Sequence, residues 1–178
     1  MGNKKKTIVF VCRGNIHRSA IAEQVFKKLL KEKGLNDQFE VISRGIKGSA
    51  GTQPTVHKNI TKYEEWKASR PSLEELNIDI TKHEAIPIDG DIADKADVII
   101  AFDKIILESD PVSLLKQFPK FRGKIHLLSE LESKIDDIPD CRGKEDPEFH
   151  RMVTKRIHDI LTNHWEGLIL WTKLDSKI

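Results

Sequence analysis

The fold is decided by residues 8–19, which read Ile-Val-Phe-Val-Cys-Arg-Gly-Asn-Ile-His-Arg-Ser. The apolar run predicts a buried strand over residues 7–11, and apolar side chains at helical spacing predict a helix over residues 19–33 that Gly34 ends. A loop between a strand end and a helix start directs backbone N–H groups inward, and the helix dipole adds partial positive charge. This segment therefore predicts a loop that binds an anion of the size of phosphate.

The loop also carries the residue types of a nucleophilic site. Cys12 lies at its lip, where N–H groups and Arg18 favour the thiolate. Arg18 offers a planar fork of donors for two phosphoryl oxygens, and Ser19 can donate its hydroxyl to the sulfur when the sulfur leaves. Gly14 and Asn15 tolerate the left-handed backbone that converging amides require. The alternative is a buried, inert cysteine, because a Cys and an Arg six residues apart also arise by chance.

Other apolar runs predict strands that are covered on both faces, since polar residues do not alternate within them. These strands lie at residues 39–43, 98–101 and 124–127. Helices are predicted at residues 89–95 and 111–117, and a long terminal helix from Asp146-Pro147 to Leu168 with Asp146 as its cap.

Residues 11–19, with Ala22-Glu23, resemble the signature of the low-molecular-weight protein tyrosine phosphatase family, whose fold is shared with the thioredoxin-coupled arsenate reductases. Further segments resemble the family in the same order, at residues 41–45, 76–83, 96–103 and 138–149. The resemblance implies a single α/β domain over residues 1–178. It also implies a central four-stranded parallel sheet in the order 2-1-3-4, with helices on both faces and a phosphate-binding loop after the first strand.

Residues 46–71 are longer than the corresponding family loop and are interpreted as a loop insertion. A short helix is predicted at residues 63–67, before Pro71. In the family this loop forms one wall of the active-site cleft and presents a bulky residue to the substrate. Tyr63 and Trp66 are the candidates here, and the alternative is that they only hold the long loop in place.

The reaction needs an acid that protonates the leaving oxygen. Asp140 matches the family's acid when Ile138-Pro139 and Phe149 are aligned. Asp146-Pro147 is the literal Asp-Pro dipeptide of the family motif, but its place before an amphipathic helix favours a capping role. Cys141 replaces the usual proline, and it can approach Cys12 as a redox partner and form a disulfide under oxidation.

The resemblance implies a cysteine-dependent phosphomonoester hydrolase, like the protein tyrosine phosphatases, that acts through a phosphocysteine intermediate without metal or cofactor. The catalytic residues would be Cys12, Arg18, Asp140 and Ser19. The substrate-binding residues would be Arg13, Gly14, Asn15, Ile16, His17 and Ser43, of which Asn15 and Ser43 hold the shape of the loop. His17 is expected either to point to solvent or to add positive charge near Cys12. Phosphoarginine-directed relatives carry Thr in place of Ile16, which favours a phosphomonoester.

Two other functions stay open. One is arsenate reduction, because arsenate mimics phosphate; with Cys141 as the single additional cysteine, the chain would need an external thiol. The other is a phosphoprotein-binding module with weak turnover.

Composition limits the partners. The net charge of +2 gives no reason to expect nucleic acid or an anionic membrane, and Lys4 to Lys6 are interpreted as a solvated tail. Two distant cysteines suit a reducing compartment, so a cytoplasmic location is expected. The expected partner is a phosphorylated protein or a small phosphomonoester, and the protein itself is expected to be a monomer or a weak homodimer.

Overall fold

A parallel sheet of four strands forms the centre of the computed structural model, which describes residues 4–174. The strands are β1 (Lys6–Cys12), β2 (Phe39–Gly45), β3 (Val98–Ala101) and β4 (Ile125–Leu127). They lie in the order β2-β1-β3-β4, and all pairs are parallel. The predicted α/β class, strand order and orientation are confirmed.

Helices cover both faces of this sheet. In residues 4–174 they are α1 (Arg18–Glu32), α2 (Trp66–Glu75), α3 (Gly90–Lys95), α4 (Leu114–Gln117), α5 (Pro147–Asn163) and α6 (Trp165–Leu174). Successive side chains of a strand point to opposite faces, so Phe10 packs against α1 and α5, while Val9 packs with residues of α3 and α4. Burial on both faces explains the unbroken apolar run of β1.

The prediction that Pro71 ends a short helix was wrong. Helix α2 begins at Trp66 and continues through Pro71 to Glu75. A proline inside a helix removes one backbone hydrogen bond, here to the carbonyl of Lys67, and Lys67 is exposed to water. Packing of α2 against α5 offsets this loss, with the Ser72 hydroxyl 3.3 Å from that of Thr154.

Two other helices differ from the prediction. Helix α4 begins at Leu114, not at residue 111, because Asp110 precedes a proline and is extended (ψ 144°). The terminal helix begins as predicted, with the Asp146 side chain accepting the N–H of Glu148, but it is broken at His164. The break redirects α6 and brings Leu168 into the core beside β1.

Residues 46–65 join β2 to α2 through two short 3-10 turns, Ala50–Thr52 and Ile60–Lys62. The interpretation of residues 46–71 as an insertion stays a prediction. Within residues 4–174, no helix combines the length and the apolar character needed to cross a bilayer.

Candidate active site

The candidate site lies at the carboxyl edge of the sheet, where the loops after three neighbouring strands meet. Val11 of β1 is in register with Arg44 of β2 and with Ala101 of β3, so the segments that follow these strands surround Cys12. Cys12 is the last residue of β1 and is 4% exposed. A pocket opens above it, lined by the loop of residues 13–18 and by parts of residues 50–65 and 140–142.

Two donors are directed at the Cys12 sulfur. The N–H of Asn15 lies 3.3 Å from Sγ, and Oγ of Ser19 lies 3.0 Å from it. The Asn15 side-chain amide donates to the Ser19 oxygen at 2.9 Å, which leaves the Ser19 hydroxyl proton free to point at the sulfur. Both contacts favour a negative charge on sulfur.

Asn15 holds the loop in shape with every polar group it has. Its φ of 56° is left-handed, as its residue type indicated, whereas Gly14 is not among the described residues with positive φ. The side-chain amide also donates to Ser43 at 2.9 Å, and the amide oxygen accepts the N–H of Ile86. His83 Nε2 donates to the Asn15 carbonyl at 2.7 Å, and burial lowers the pKa of His83, which favours the neutral ring.

The substrate-binding assignment of Asn15 and Ser43 stays a prediction, and the contacts of their side chains are those of residues that hold the loop in shape. Neither side chain lines the pocket, because both are buried behind the loop. The Ser43 hydroxyl donates to the carboxylate of Glu23 at 2.5 Å and so anchors the Asn15 amide to α1. Arg13, Gly14, Ile16 and His17 do line the pocket.

Arg18 is a buried guanidinium held by anions. It is 2% exposed, and Nη1 donates to Asp103 at 2.5 Å and to the carbonyl of Ile138 at 2.7 Å. Nη2 lies 3.2 Å from the carboxylate of Asp140. Burial alone would lower the pKa of Arg18, but the negative charges of Asp140, Cys12 and Asp103 outweigh it and raise the pKa. The guanidinium therefore stays charged beside the sulfur.

Asp103 is the site residue that sequence reasoning missed. It is 6% exposed; one oxygen binds Arg18, and the other accepts the N–H of Ile106. The signal was present, because a carboxylate directly after Phe102 lies at the carboxyl end of the strand next to β1.

Asp140 lies at the pocket mouth, and its side chain is 39% exposed. Besides Arg18, the guanidinium of Arg13 lies 3.8 Å from it, and Arg13 also lies 3.7 Å from Asp110. The structure thus brings Asp140 to the loop, while Asp146 caps α5.

His17 neither points to solvent nor adds positive charge near Cys12, the two roles expected for it. It is 6% exposed, and its ring packs edge to face on His150 with centroids 5.1 Å apart. Burial, with smaller contributions from His150 and Arg18, lowers the pKa of His17 to about 3. The ring is therefore neutral, and it is buried although the residue lines the pocket.

Cys141 also lies inside the protein, at 3% exposure, and both cysteines are free thiols. Burial raises the pKa of Cys141 to about 12 against the opposing effect of Arg18. A disulfide between Cys12 and Cys141 stays a prediction.

Residues 50–65 form the opposite wall. Tyr63 lines the pocket, and its hydroxyl donates to the carbonyl of His57 at 2.8 Å, so it both faces the site and holds the loop. Trp66 packs against the core instead. The wall approaches the loop closely at Gly51, where an added Cβ would lie 2.7 Å from Cα of Gly14.

Comparisons with known proteins agree with this geometry. Residues 7–169 match the sequence profile described as low molecular weight phosphotyrosine protein phosphatase. The chain is 30% identical over 174 residues to the low molecular weight protein-tyrosine-phosphatase PtpA of Staphylococcus aureus, covering 96% of each chain. It is 30% identical over 148 residues to an arsenate reductase of Bacillus anthracis, covering 83% of this chain and 86% of that one.

A crystal structure of a low molecular weight protein tyrosine phosphatase from T. tengcongensis superposes with a TM-score of 0.71 at 24% identity, covering 92% of this chain and 99% of that one. This likeness supports the fold alone.

Proposed function

The chain belongs to the low molecular weight phosphotyrosine protein phosphatase family, and we propose that it hydrolyses phosphomonoesters in two steps with Cys12 as the nucleophile. The observation that carries this proposal is the pair of donors, Asn15 N–H and Ser19 Oγ, directed at the Cys12 sulfur in a pocket that Cys12 lines together with the buried Arg18.

In the first step the Cys12 thiolate attacks phosphorus in line with the leaving oxygen. The sulfur–phosphorus bond forms and the bond to the leaving oxygen breaks, while Asp140 donates its proton to that oxygen. Loop N–H groups and the Nη2 donor of Arg18, whose Nη1 stays bound to Asp103 and Ile138, hold the equatorial oxygens, where charge increases in the transition state. The bound phosphoryl group replaces Asp140 as the partner of the Arg18 Nη2 donor, which frees Asp140 for proton transfer.

In the second step a water molecule attacks the phosphocysteine. Asp140, now a carboxylate, accepts a proton from that water, and the sulfur–phosphorus bond breaks. The Ser19 hydroxyl stabilises the returning thiolate, since its oxygen already accepts from Asn15 and its proton is free for the sulfur.

The proposed substrate is a phosphorylated protein or a small phosphomonoester, including phosphotyrosine. The pocket wall of Val56, Ile60 and Tyr63 is apolar and suits an aryl ring, while Arg13 and Arg142 place positive charge at the mouth. We place the reaction in the cytoplasm, because a catalytic thiol needs a reducing compartment. With a net charge of +2, no nucleic-acid or membrane partner is proposed, and the chain acts as a monomer or a weak homodimer.

Arsenate reduction is the second candidate, because a relative over most of the chain is named an arsenate reductase. The same loop would bind arsenate, but reducing it also requires further thiols that supply electrons by thiol–disulfide exchange. Cys141 is buried and its pKa is raised to about 12, so it is a poor internal thiolate, and reduction would require an external thiol.

Hydrolysis of para-nitrophenyl phosphate in the presence of EDTA tests the proposal. We expect Cys12→Ser to be inactive and Asp140→Ala to lose about 10²- to 10⁴-fold in kcat, the usual size of an acid–base contribution. Asp146→Ala is the matched control: it removes a helix cap, at about 1 kcal/mol of stability, but should retain kcat. Retained activity in Cys12→Ser, or inactive wild type that reduces arsenate with added thiol, would reject the proposal.

A further inference from the structure

A second cluster of reactive side chains lies beside the catalytic pocket. One ligating atom from each of His17, Cys141 and His150 lies within 4.8 Å of the other two, and all three residues are buried. They come from three places in the fold: the cap of α1, the segment that carries Asp140, and the first turns of α5. We call them the His-Cys-His cluster.

Each imidazole in this cluster has a ring nitrogen without a good hydrogen-bond partner. His150 Nε2 donates to the carbonyl of Lys144 at 2.7 Å, so His150 Nδ1 carries a lone pair. That lone pair faces Nε2 of His17 at 3.5 Å, which is long for a hydrogen bond. Nδ1 of His17 has no hydrogen-bond partner in residues 4–174, although the residue is only 6% exposed. A buried ring nitrogen in this state needs an explanation, and a bound ion that fixes the position of the ring is one.

The size of the cluster fits a tetrahedral metal ion. Three atoms within 4.8 Å of one another enclose a point no more than about 2.8 Å from each, and zinc bonds are about 2.0–2.3 Å long. Side-chain movements of about 0.5–0.8 Å would therefore close the site. His17 Nε2 and His150 Nδ1, the two nitrogens that would bind the ion, lie 3.5 Å apart, which is close to the spacing of two ligands on one tetrahedral ion.

We propose that the His-Cys-His cluster is a Zn²⁺ site. Two imidazole nitrogens and one thiolate are ligands that zinc prefers, whereas calcium and magnesium require oxygen ligands. On binding, the Cys141 S–H bond breaks, the proton goes to solvent and a sulfur–zinc bond forms. The hydrogen bond from His150 to the Lys144 carbonyl is the outer-shell contact that orients a ligating histidine.

Three protein ligands would leave a fourth position open, and two of the three, His17 and Cys141, also line the catalytic pocket. An ion at this place would connect the phosphate-binding loop, through His17, to the segment that carries Asp140, through Cys141. No local motif indicates this site, because His17 and Cys141 lie 124 positions apart in the chain.

Titration of the reduced full-length protein with Co²⁺, a spectroscopic substitute for zinc, tests the site without reference to activity. We expect a thiolate-to-cobalt charge-transfer band and the visible spectrum of a tetrahedral ion, both displaced by zinc. Cys141→Ser should remove the charge-transfer band. Because even an outer-shell partner contributes about 10- to 100-fold to metal affinity, His150→Gln should weaken binding by more than about 100-fold. Gln keeps a donor for the Lys144 carbonyl.

His158→Gln is the control on the same helix, and Cys12→Ser separates this site from the catalytic thiol. Both should bind cobalt as the wild type does. Circular dichroism confirms the fold of each variant, and His150→Gln gives an independent test if Cys141→Ser does not fold. The proposal is overturned if folded wild type shows no tetrahedral cobalt spectrum, or if the band is lost with Cys12→Ser and kept with Cys141→Ser.

Discussion

The ion pair between Arg18 and Asp103 leads to a quantitative prediction for Asp103→Asn. Both side chains are buried, and the pair is 2.5 Å long. The substituted amide can keep one oxygen for the N–H of Ile106, but its NH₂ group then faces the guanidinium, donor against donor. The variant therefore leaves a buried cation with one partner fewer.

Breaking a buried ion pair from one side costs about 3–5 kcal/mol. Arg18 keeps the Ile138 carbonyl at 2.7 Å and the Asp140 carboxylate at 3.2 Å, and that carboxylate is partly exposed and so weaker. We therefore expect Asp103→Asn to lower the free energy of unfolding by about 2–3 kcal/mol, below the full cost.

Urea unfolding, with and without inorganic phosphate, measures this effect. Because Asp103 no longer neutralises Arg18, the variant should bind phosphate more tightly than wild type, and phosphate should restore more of its stability. Asp137→Asn is the control: this exposed carboxylate accepts the N–H of Lys104 and does not contact Arg18, so its loss should cost less than about 1 kcal/mol. A variant as stable as wild type, or one stabilised less by phosphate, would refute the role given to Asp103.

Three further predictions concern the loop and its supports. Gly51→Ala places a Cβ 2.7 Å from Cα of Gly14, so urea unfolding should show a loss of at least about 2 kcal/mol in the free energy of unfolding. Gly90→Ala is the control: its Cβ would have nothing within 4 Å, so the free energy of unfolding should change by less than about 1 kcal/mol. Asn15→Ala should lower the free energy of unfolding by about 3 kcal/mol, because the left-handed φ remains while several hydrogen bonds are lost. It should also lower kcat, and an unchanged kcat would contradict the role of Asn15 in shaping the loop. Burial lowers the pKa of both His83 and His17 from 6.5, so protonation favours the unfolded chain and wild type should lose stability as the pH falls below 6.5. His83 contributes at most about 1.4 kcal/mol per pH unit to this loss. His83→Gln should show a smaller loss in urea titrations above and below that pH, and an equal loss would exclude His83 as the cause.

The sheet and the phosphate-binding loop could be predicted because their signals are local. An apolar run followed by Gly14-Asn15 and a helix specifies the strand, the turn and the anion site within residues 8–19. The cap at Asp146 is equally local, since it depends on the next two residues.

The features that were missed depend on contacts between distant parts of the chain. Asp103 meets Arg18 across 85 positions, and His17 is buried because His150, 133 positions away, packs on it. The break at His164 is also tertiary, because it lets Leu168 reach the core beside β1. Helical spacing alone does not contain that information.

Trapping the covalent intermediate is the decisive test of the two-step mechanism with Cys12 as the nucleophile. Wild type mixed with excess para-nitrophenyl phosphate and quenched in acid during turnover should carry one phosphoryl group, and peptide mass spectrometry should locate it on Cys12. Asp140→Ala should accumulate more of it if hydrolysis of the phosphocysteine becomes the slower step. An active enzyme that carries no phosphoryl group at Cys12, or one that carries it on another residue, would contradict the account.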